Sequence, residues 1–372
     1  MVNEVLMAVE GVVGTRLVRQ IFQFYSRPLN WTVEGVPGLL GDHQSWGRHC
    51  IHAHLIMAEA RGLTRESTNI NDSRRSRNGY KSKTFTMTIE TTSRRDVPTT
   101  LQYYASTTDS EGPYIYTGVP PEGVPGTNIT SEPYAVVVRD VRGSEDAFGG
   151  LDKKGFQYAH HVSQEKLFAE DSTIKGAYYQ EIEELLKAQT GAKRVFIFDH
   201  TIRRTPKHEG GGKSTYNAPI TSVHIDQTTE AAIQRVRDHM GDDAEHLLKG
   251  RFRIINVWRP IENTVAHTPL AVADFTSFDV SKDLLPVRFI LPHGKIGSIY
   301  YVRHNAAHRW YYLADQTVDE VVIFKCFDSA DGTEGDVAAR VAPHAAFKDA
   351  SSPADAPERQ SIEVRALVFD TE

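Results

Sequence analysis

Ser222-Val223-His224-Ile225-Asp226 lies between Pro219 and the pair Thr228-Thr229. In an extended chain successive side chains alternate faces, so His224 and Asp226 share one face and Val223 and Ile225 the other. Far downstream stand His344, the last histidine before the C-terminal strand, and Arg359-Gln360-Ser361, where an arginine and a serine are again two positions apart. Two imidazoles and one carboxylate bind ferrous iron on one face and leave the opposite face open. A guanidinium clamps a carboxylate with two parallel hydrogen bonds, and a hydroxyl adds a third. The order His-x-Asp, distal His, Arg-x-Ser therefore predicts Fe(II) on His224, Asp226 and His344. The far carboxylate of 2-oxoglutarate falls to Arg359 and Ser361, and O2 takes the last open position.

Outward from that segment the chain reads as strand after strand. A helix over residues 229–240, capped by Thr228 or Thr229, is followed by strand-like runs at 252–257, 270–273, 287–291, 298–302, 310–313, 320–327, 340–342 and 361–369. Many short strands separated by turn residues predict a mainly β fold with flanking helices (α+β), a distorted double-stranded β-helix or jelly roll. Upstream, Tyr178, Ile182, Leu185 and Leu186 mark one face of a helix over 174–189 that stops at Gly191. Residues 195–198 form a short buried strand, 135–138 and 100–104 two more, and the Gly/Pro-rich stretch 113–133 a long loop. Residues 84–89 alternate like a strand, and 4–25 carry helix-like spacing. The division expected is an N-terminal extension over 1–95, partly helical and packed on or beside the core, and an oxygenase domain over 96–372.

The third iron ligand has competitors. His304 and His308 stand four apart, a spacing that suits zinc, but no Glu follows the first as the metalloprotease pattern requires. They read better as polar residues in a turn, so His344 is preferred and His308 is the runner-up. Arg359 has a plain alternative as a solvated strand edge, and Arg365 lies on its face but roughly 20 Å further along, too far to share one carboxylate. Lys207-His208-Glu209-Gly210-Gly211-Gly212-Lys213-Ser214 looks like a phosphate loop but has Lys where the first glycine belongs. A mobile loop beside the site, a candidate lid, is the reading chosen for it.

Composition excludes several classes. The chain has 372 residues, 40% hydrophobic and 24% charged, with net charge −6, which argues against a nucleic-acid partner. The basic run Arg74 to Lys83 sits among Ser, Asn and Gly and reads as a solvated loop. Two cysteines, Cys50 and Cys326, do not make a disulfide framework. With Glu4 and Glu10 in place of a positive n-region, no secretory signal is expected, and no run of about 18 apolar residues suggests a membrane span. The glycosylation patterns at Asn30, Asn71 and Asn128 are then accidental matches. A reduced cytoplasmic setting follows, with a homodimer as the assembly considered.

Seven separated motifs occur in order: 191–203 (Gly-Ala-Lys-Arg-Val-Phe-Ile-Phe-Asp-His-Thr-Ile-Arg), Val223-His-Ile-Asp226, Ile255-Asn-Val-Trp-Arg-Pro-Ile261, His308-Arg-Trp-Tyr-Tyr312, Asp319-Glu320, Pro343-His-Ala-Ala-Phe347 and Arg359-Gln-Ser-Ile-Glu-Val-Arg365. Together they resemble the fungal hydroxylase/desaturase family of the aspergillic acid and gibberellin desaturase type, which also includes a protein of cephamycin methoxylation. The likeness spans about residues 97 to 369 and does not reach 1–95. It implies oxidation of an unactivated carbon in a small natural product of fungal secondary metabolism. Asn256 and Trp258 fall where related double-stranded β-helix oxygenases place pocket residues, with packed core as the competing reading. Two rivals stand beside the 2-oxoglutarate reading: an iron oxygenase driven by its substrate alone, and a jelly-roll binding protein without catalysis.

Overall fold

The computed structural model describes residues 95–108, 110–204, 218–330 and 339–372. The expectations for the N-terminal extension, the basic run, Cys50, the sequons at Asn30 and Asn71, and the glycine-rich loop lie outside the described residues. Fourteen strands are described: β1 (Val97–Thr107), β2 (Tyr114–Tyr116), β3 (Ile129–Asp140), β4 (Phe156–His160), β5 (Arg194–Arg203), β6 (His224–Ile225), β7 (Phe252–Pro260), β8 (Leu270–Ala273), β9 (Leu284–Ile290), β10 (Ile296–Val302), β11 (Trp310–Tyr312), β12 (Glu320–Asp328), β13 (His344–Ala346) and β14 (Ser361–Phe369). They make one sheet ordered β1-β3-β11-β8-β13-β6-β10-β9-β2 and another ordered β4-β12-β7-β14-β5. Two sheets closing over one apolar core are the jelly roll that the strand pattern predicts.

Period-2 alternation decides what each sheet buries. Ile225 and Val272 of the larger sheet meet Ile254, Trp258, Phe324 and Leu367 of the smaller one, so these residues fill the space between the sheets. The opposite face of the smaller sheet, with Ile255, Val257, Ile362, Val364, Ala366 and Val368, packs on Ile182, Leu185 and Leu186 of helix α1 (Tyr179–Thr190). Fully burying one such side chain is worth about 1.5–3 kcal/mol. The odd-numbered residues of β14 from Ser361 to Phe369 therefore point into the barrel, and a polar residue among them is a polar residue inside.

Some elements depart from local expectation. The helix over 174–189 opens as a π turn (Ile174–Tyr178) before continuing as α1. It ends at Gly191 in the left-handed region, φ 70°. The stretch 113–133 is not one long loop, because Tyr114–Tyr116 pairs in parallel with β9 and β3 begins at Ile129. Asn128 is buried beneath it, bonded to the Tyr114 amide and the Gly112 carbonyl, so its sequon is structural. Residues 340–342 form no strand. Pro343 has no N–H for a ladder, and the Ala342 amide instead caps the carbonyl of Lys325 at 2.7 Å. The strand starts one residue after that proline, at His344. Among the described residues, no helix is long and apolar enough to cross a membrane.

Candidate active site

β6 is only two residues long because Asp226 is followed at once by the start of helix α2 (Thr229–Met240), whose N-cap is Thr228. The Thr228 hydroxyl accepts from the Ala231 amide at 3.2 Å, which fixes where the strand must stop. β6 is wedged between β13 and β10, and His224 is paired directly with His344. Two histidines 120 residues apart in sequence thus become cross-strand neighbours, their ring centroids 4.4 Å apart.

The geometry suits a metal. Among the described residues, His224, Asp226 and His344 are the one such trio of donors, with ligand atoms all within 4.8 Å of one another. Asp226 Oδ1 lies 3.4 Å from His224 Nε2 and 3.7 Å from His344 Nε2. Each imidazole donates its Nδ1 proton to a backbone carbonyl two residues earlier, His224 to Ser222 at 2.8 Å and His344 to Ala342 at 3.1 Å. Those bonds choose the tautomer and leave both Nε2 lone pairs facing the gap. Burial and the neighbouring His224 push the His344 imidazole down to about 3, so it is neutral and ready to donate electrons. Burial opposes ionisation of Asp226, but the Arg365 guanidinium leads the influences that outweigh it and hold the carboxyl well below its usual range. Two imidazoles with Nε2 turned to the gap and an ionised carboxylate are a fitting donor set for Fe(II).

A small cleft, partly open to solvent, lies over these three residues. Its lining combines apolar Ile220, Leu270, Trp258 and Ala346 with charged Arg203, Arg359, Arg365 and Glu363. Arg359 is buried, not a solvated edge: its Nη1 donates to the Thr268 carbonyl at 2.7 Å and its guanidinium sits 5.4 Å over the Trp258 ring. Ser361 is buried two residues further on, facing Pro260 and Arg203 across its neighbours, and is not among the residues lining the cleft. Asn256 is a site residue as well as a core one, donating to Asp226 Oδ2 at 2.8 Å and Glu363 Oε1 at 3.0 Å.

His308 is engaged elsewhere. Its Nε2 meets Asp283 at 3.0 Å, its Nδ1 meets the Tyr103 hydroxyl at 3.2 Å, and its ring stacks on Phe278. His304 stacks on Tyr134. Sequence reading passed over Glu363 and Arg203 and set Arg365 aside. Alternation from Ser361 already puts 363 and 365 on its face, so opposite charges on the inward face of an apolar strand were the available signal.

A jelly roll with two imidazoles and a carboxylate converging between its sheets is the frame of a non-haem iron oxygenase. A family model described as an oxidoreductase/YMDC permease-like domain matches residues 101–369. The chain is 36% identical to hydroxylase/desaturase efuI of Hormonema carpetanum, covering 73% of this chain and 95% of that protein. It is 34% identical to the Fe(II)/2-oxoglutarate-dependent dioxygenase nvfI of Aspergillus novofumigatus, covering 68% and 90%. A solved structure of the iron and alpha-ketoglutarate-dependent endoperoxidase NvfI superposes with a TM-score of 0.65 at 31% identity, covering 74% of this chain and 98% of that one. The chain belongs to this family of fungal hydroxylase/desaturases and Fe(II)/2-oxoglutarate-dependent dioxygenases. It is an oxygenase whose cofactor set is Fe(II), 2-oxoglutarate and O2.

Proposed function

We propose that this oxygenase hydroxylates or desaturates a C–H position of a small secondary metabolite. In this reading His224, Asp226 and His344 hold the Fe(II), and Arg359 with Ser361 binds the far carboxylate of 2-oxoglutarate. The catalytic unit is 96–372, with 1–95 as an extension to it, and its setting is cytoplasmic. The observation that carries the assignment is the convergence of the three donors, within 4.8 Å, in the same cleft as the buried Arg359.

Ferrous iron with 2-oxoglutarate and O2 supplies an oxidant strong enough to remove hydrogen from an unactivated carbon, releasing succinate and carbon dioxide. The chain does the rest. His224 and His344 offer Nε2 lone pairs in tautomers fixed by the Ser222 and Ala342 carbonyls. Arg359, buried against Trp258 and the Thr268 carbonyl, lines the cleft with a guanidinium of the kind that clamps a carboxylate. Arg365 is a poorer anchor, because Asp226, Glu363 and Asp199 already occupy it at 2.9, 2.6 and 3.1 Å. The apolar lining residues Ile220, Leu270 and Ala346 suit a hydrocarbon substrate and help keep water from the reacting carbon.

Anaerobic reconstitution with Fe(II) and 2-oxoglutarate tests this. The wild type develops the metal-to-ligand charge-transfer band of a chelated 2-oxo acid. His224→Ala, Asp226→Ala and His344→Ala lose it. Arg359→Ala keeps metal binding but needs at least tenfold more 2-oxoglutarate, since losing a bidentate charged contact costs about 2–5 kcal/mol. Ser361→Ala shows a smaller shift in the same direction. An unchanged requirement in Arg359→Ala sinks the anchor assignment, and a band surviving His344→Ala sinks the ligand assignment.

A further inference from the structure

Arg365 is a cation inside a barrel, and its cost must be met by what surrounds it. It lies directly opposite Asn256 in the β14–β7 ladder. Glu363 and Asp199 take its two terminal nitrogens, at 2.6 and 3.1 Å, and Nε is left to donate to Asp226 Oδ2 at 2.9 Å. Asn256 Nδ2 donates to the same Oδ2 at 2.8 Å and ties it to Glu363. The two oxygens of Asp226 are therefore unlike. Oδ2 receives two donors from the smaller sheet, whereas Oδ1 faces the two imidazole nitrogens across the gap.

We propose that Asn256 and Arg365 are positioning residues that commit Asp226 to binding the metal through Oδ1 alone. The inference rests on the metal-site reading given above. A carboxylate can turn to offer both oxygens, and nothing in His-x-Asp itself prevents it. Here that rotation would pull Oδ2 away from a guanidinium N–H and an amide N–H, which is unfavourable for groups this largely withdrawn from solvent. Single-oxygen binding would keep Asp226 from competing for the places that a chelating co-substrate and O2 would need. If both oxygens bound, one of those places would be filled. Glu363 is what allows Arg365 to sit there, because its carboxylate balances the charge that Asp226 shares with the metal. The bracket thus consists of a neutral donor and a charged donor on adjacent strands of one rigid sheet, set before any ligand arrives.

Co(II), a visible-absorbing probe for the same donor set, tests this on the full-length metal-free protein. Asn256→Ala weakens Co(II) binding by about tenfold or more, and the visible band changes in shape and intensity as Asp226 becomes free to offer both oxygens. Arg365→Gln does the same more strongly, and Arg365→Lys, which keeps one charged donor, falls between it and the wild type. Melting of the metal-free variants is followed in parallel, because a purely structural role would lower Tm without moving the band. Wild-type affinity with an unchanged band in both Asn256→Ala and Arg365→Gln overturns the proposal. Co(II) binding that survives His224→Ala overturns the underlying site reading, and the two failures are told apart by that control.

Discussion

His308 and His344 are both buried imidazoles in reach of a carboxylate, and their hydrogen bonds separate them. His344 gives Nδ1–H to a backbone carbonyl and turns Nε2 toward Asp226, whereas His308 has both nitrogens occupied, by Asp283 and Tyr103. His308→Ala is expected to leave Co(II) binding at the wild-type level. It should also destabilise the fold by about 2 kcal/mol, because Asp283 loses a buried partner. Denaturant titration with and without Co(II) checks both halves, and a loss of metal affinity without a loss of stability would contradict the assignment. The choice between the two histidines was legible in part: His344 was preferred for its place before the last strand. What could not be read was the Asp283–His308–Tyr103 chain, whose members come from positions 205 residues apart at the extreme.

At the scale of elements, helix α2 was legible to the residue because its signals are local: a Thr N-cap, an apolar stripe of Ala232, Val236 and Met240, and Gly241 after it. Thr228 also links the helix to the larger sheet, since its hydroxyl meets Ser298 Oγ at 2.5 Å. Thr228→Ala removes the cap and is expected to cost about 1–2 kcal/mol, lowering Tm by about 3–6 °C. Thr228→Ser should recover most of it, and a thermal melt showing no difference between the two variants would refute the cap. Elements made by distant pairing were less legible. β2 exists because β9 is there to pair with it, and β5 runs on to Arg203 because β14 does, although local hydrophobicity fades after Phe198.

Taken whole, the barrel is also pinned away from the candidate metal site by a buried charge cluster. Lys325 donates to Asp328 at 2.5 Å, to Asp152 at 2.6 Å and to the Ala339 carbonyl at 3.0 Å, and Arg251 contacts both carboxylates. It joins β12, the start of β7 and the segment before β4. Lys325→Met should destabilise by about 3–5 kcal/mol at neutral pH, because it leaves Asp328 buried with one cation fewer. Burial opposes ionisation of both carboxyls, yet hydrogen bonds from Arg251 and Lys325 hold them below the ordinary range, Asp152 at about 2. Stability from such groups is present above their unfolded value near 3.8 and disappears as pH falls through the folded one. The gap between wild type and Lys325→Met in denaturant midpoint should therefore narrow between about pH 4 and pH 2. A constant gap across that window would mean the cluster is not ionised as described.

The sequence by itself determined the strand-rich jelly roll, the two helices, the His-x-Asp face and the arginine near the C-terminus, because alternation, caps and glycine stops act over a few residues. Tertiary structure alone decided which histidine meets His224, since only the β6–β13 register makes His344 its neighbour. It alone brought Asn256 and Arg365 onto the far oxygen of Asp226 and drew Arg359 over the Trp258 ring. Those contacts join strands far apart along the chain, and a buried charge is stable only where its partners converge. Convergence of that kind leaves no periodic trace in sequence.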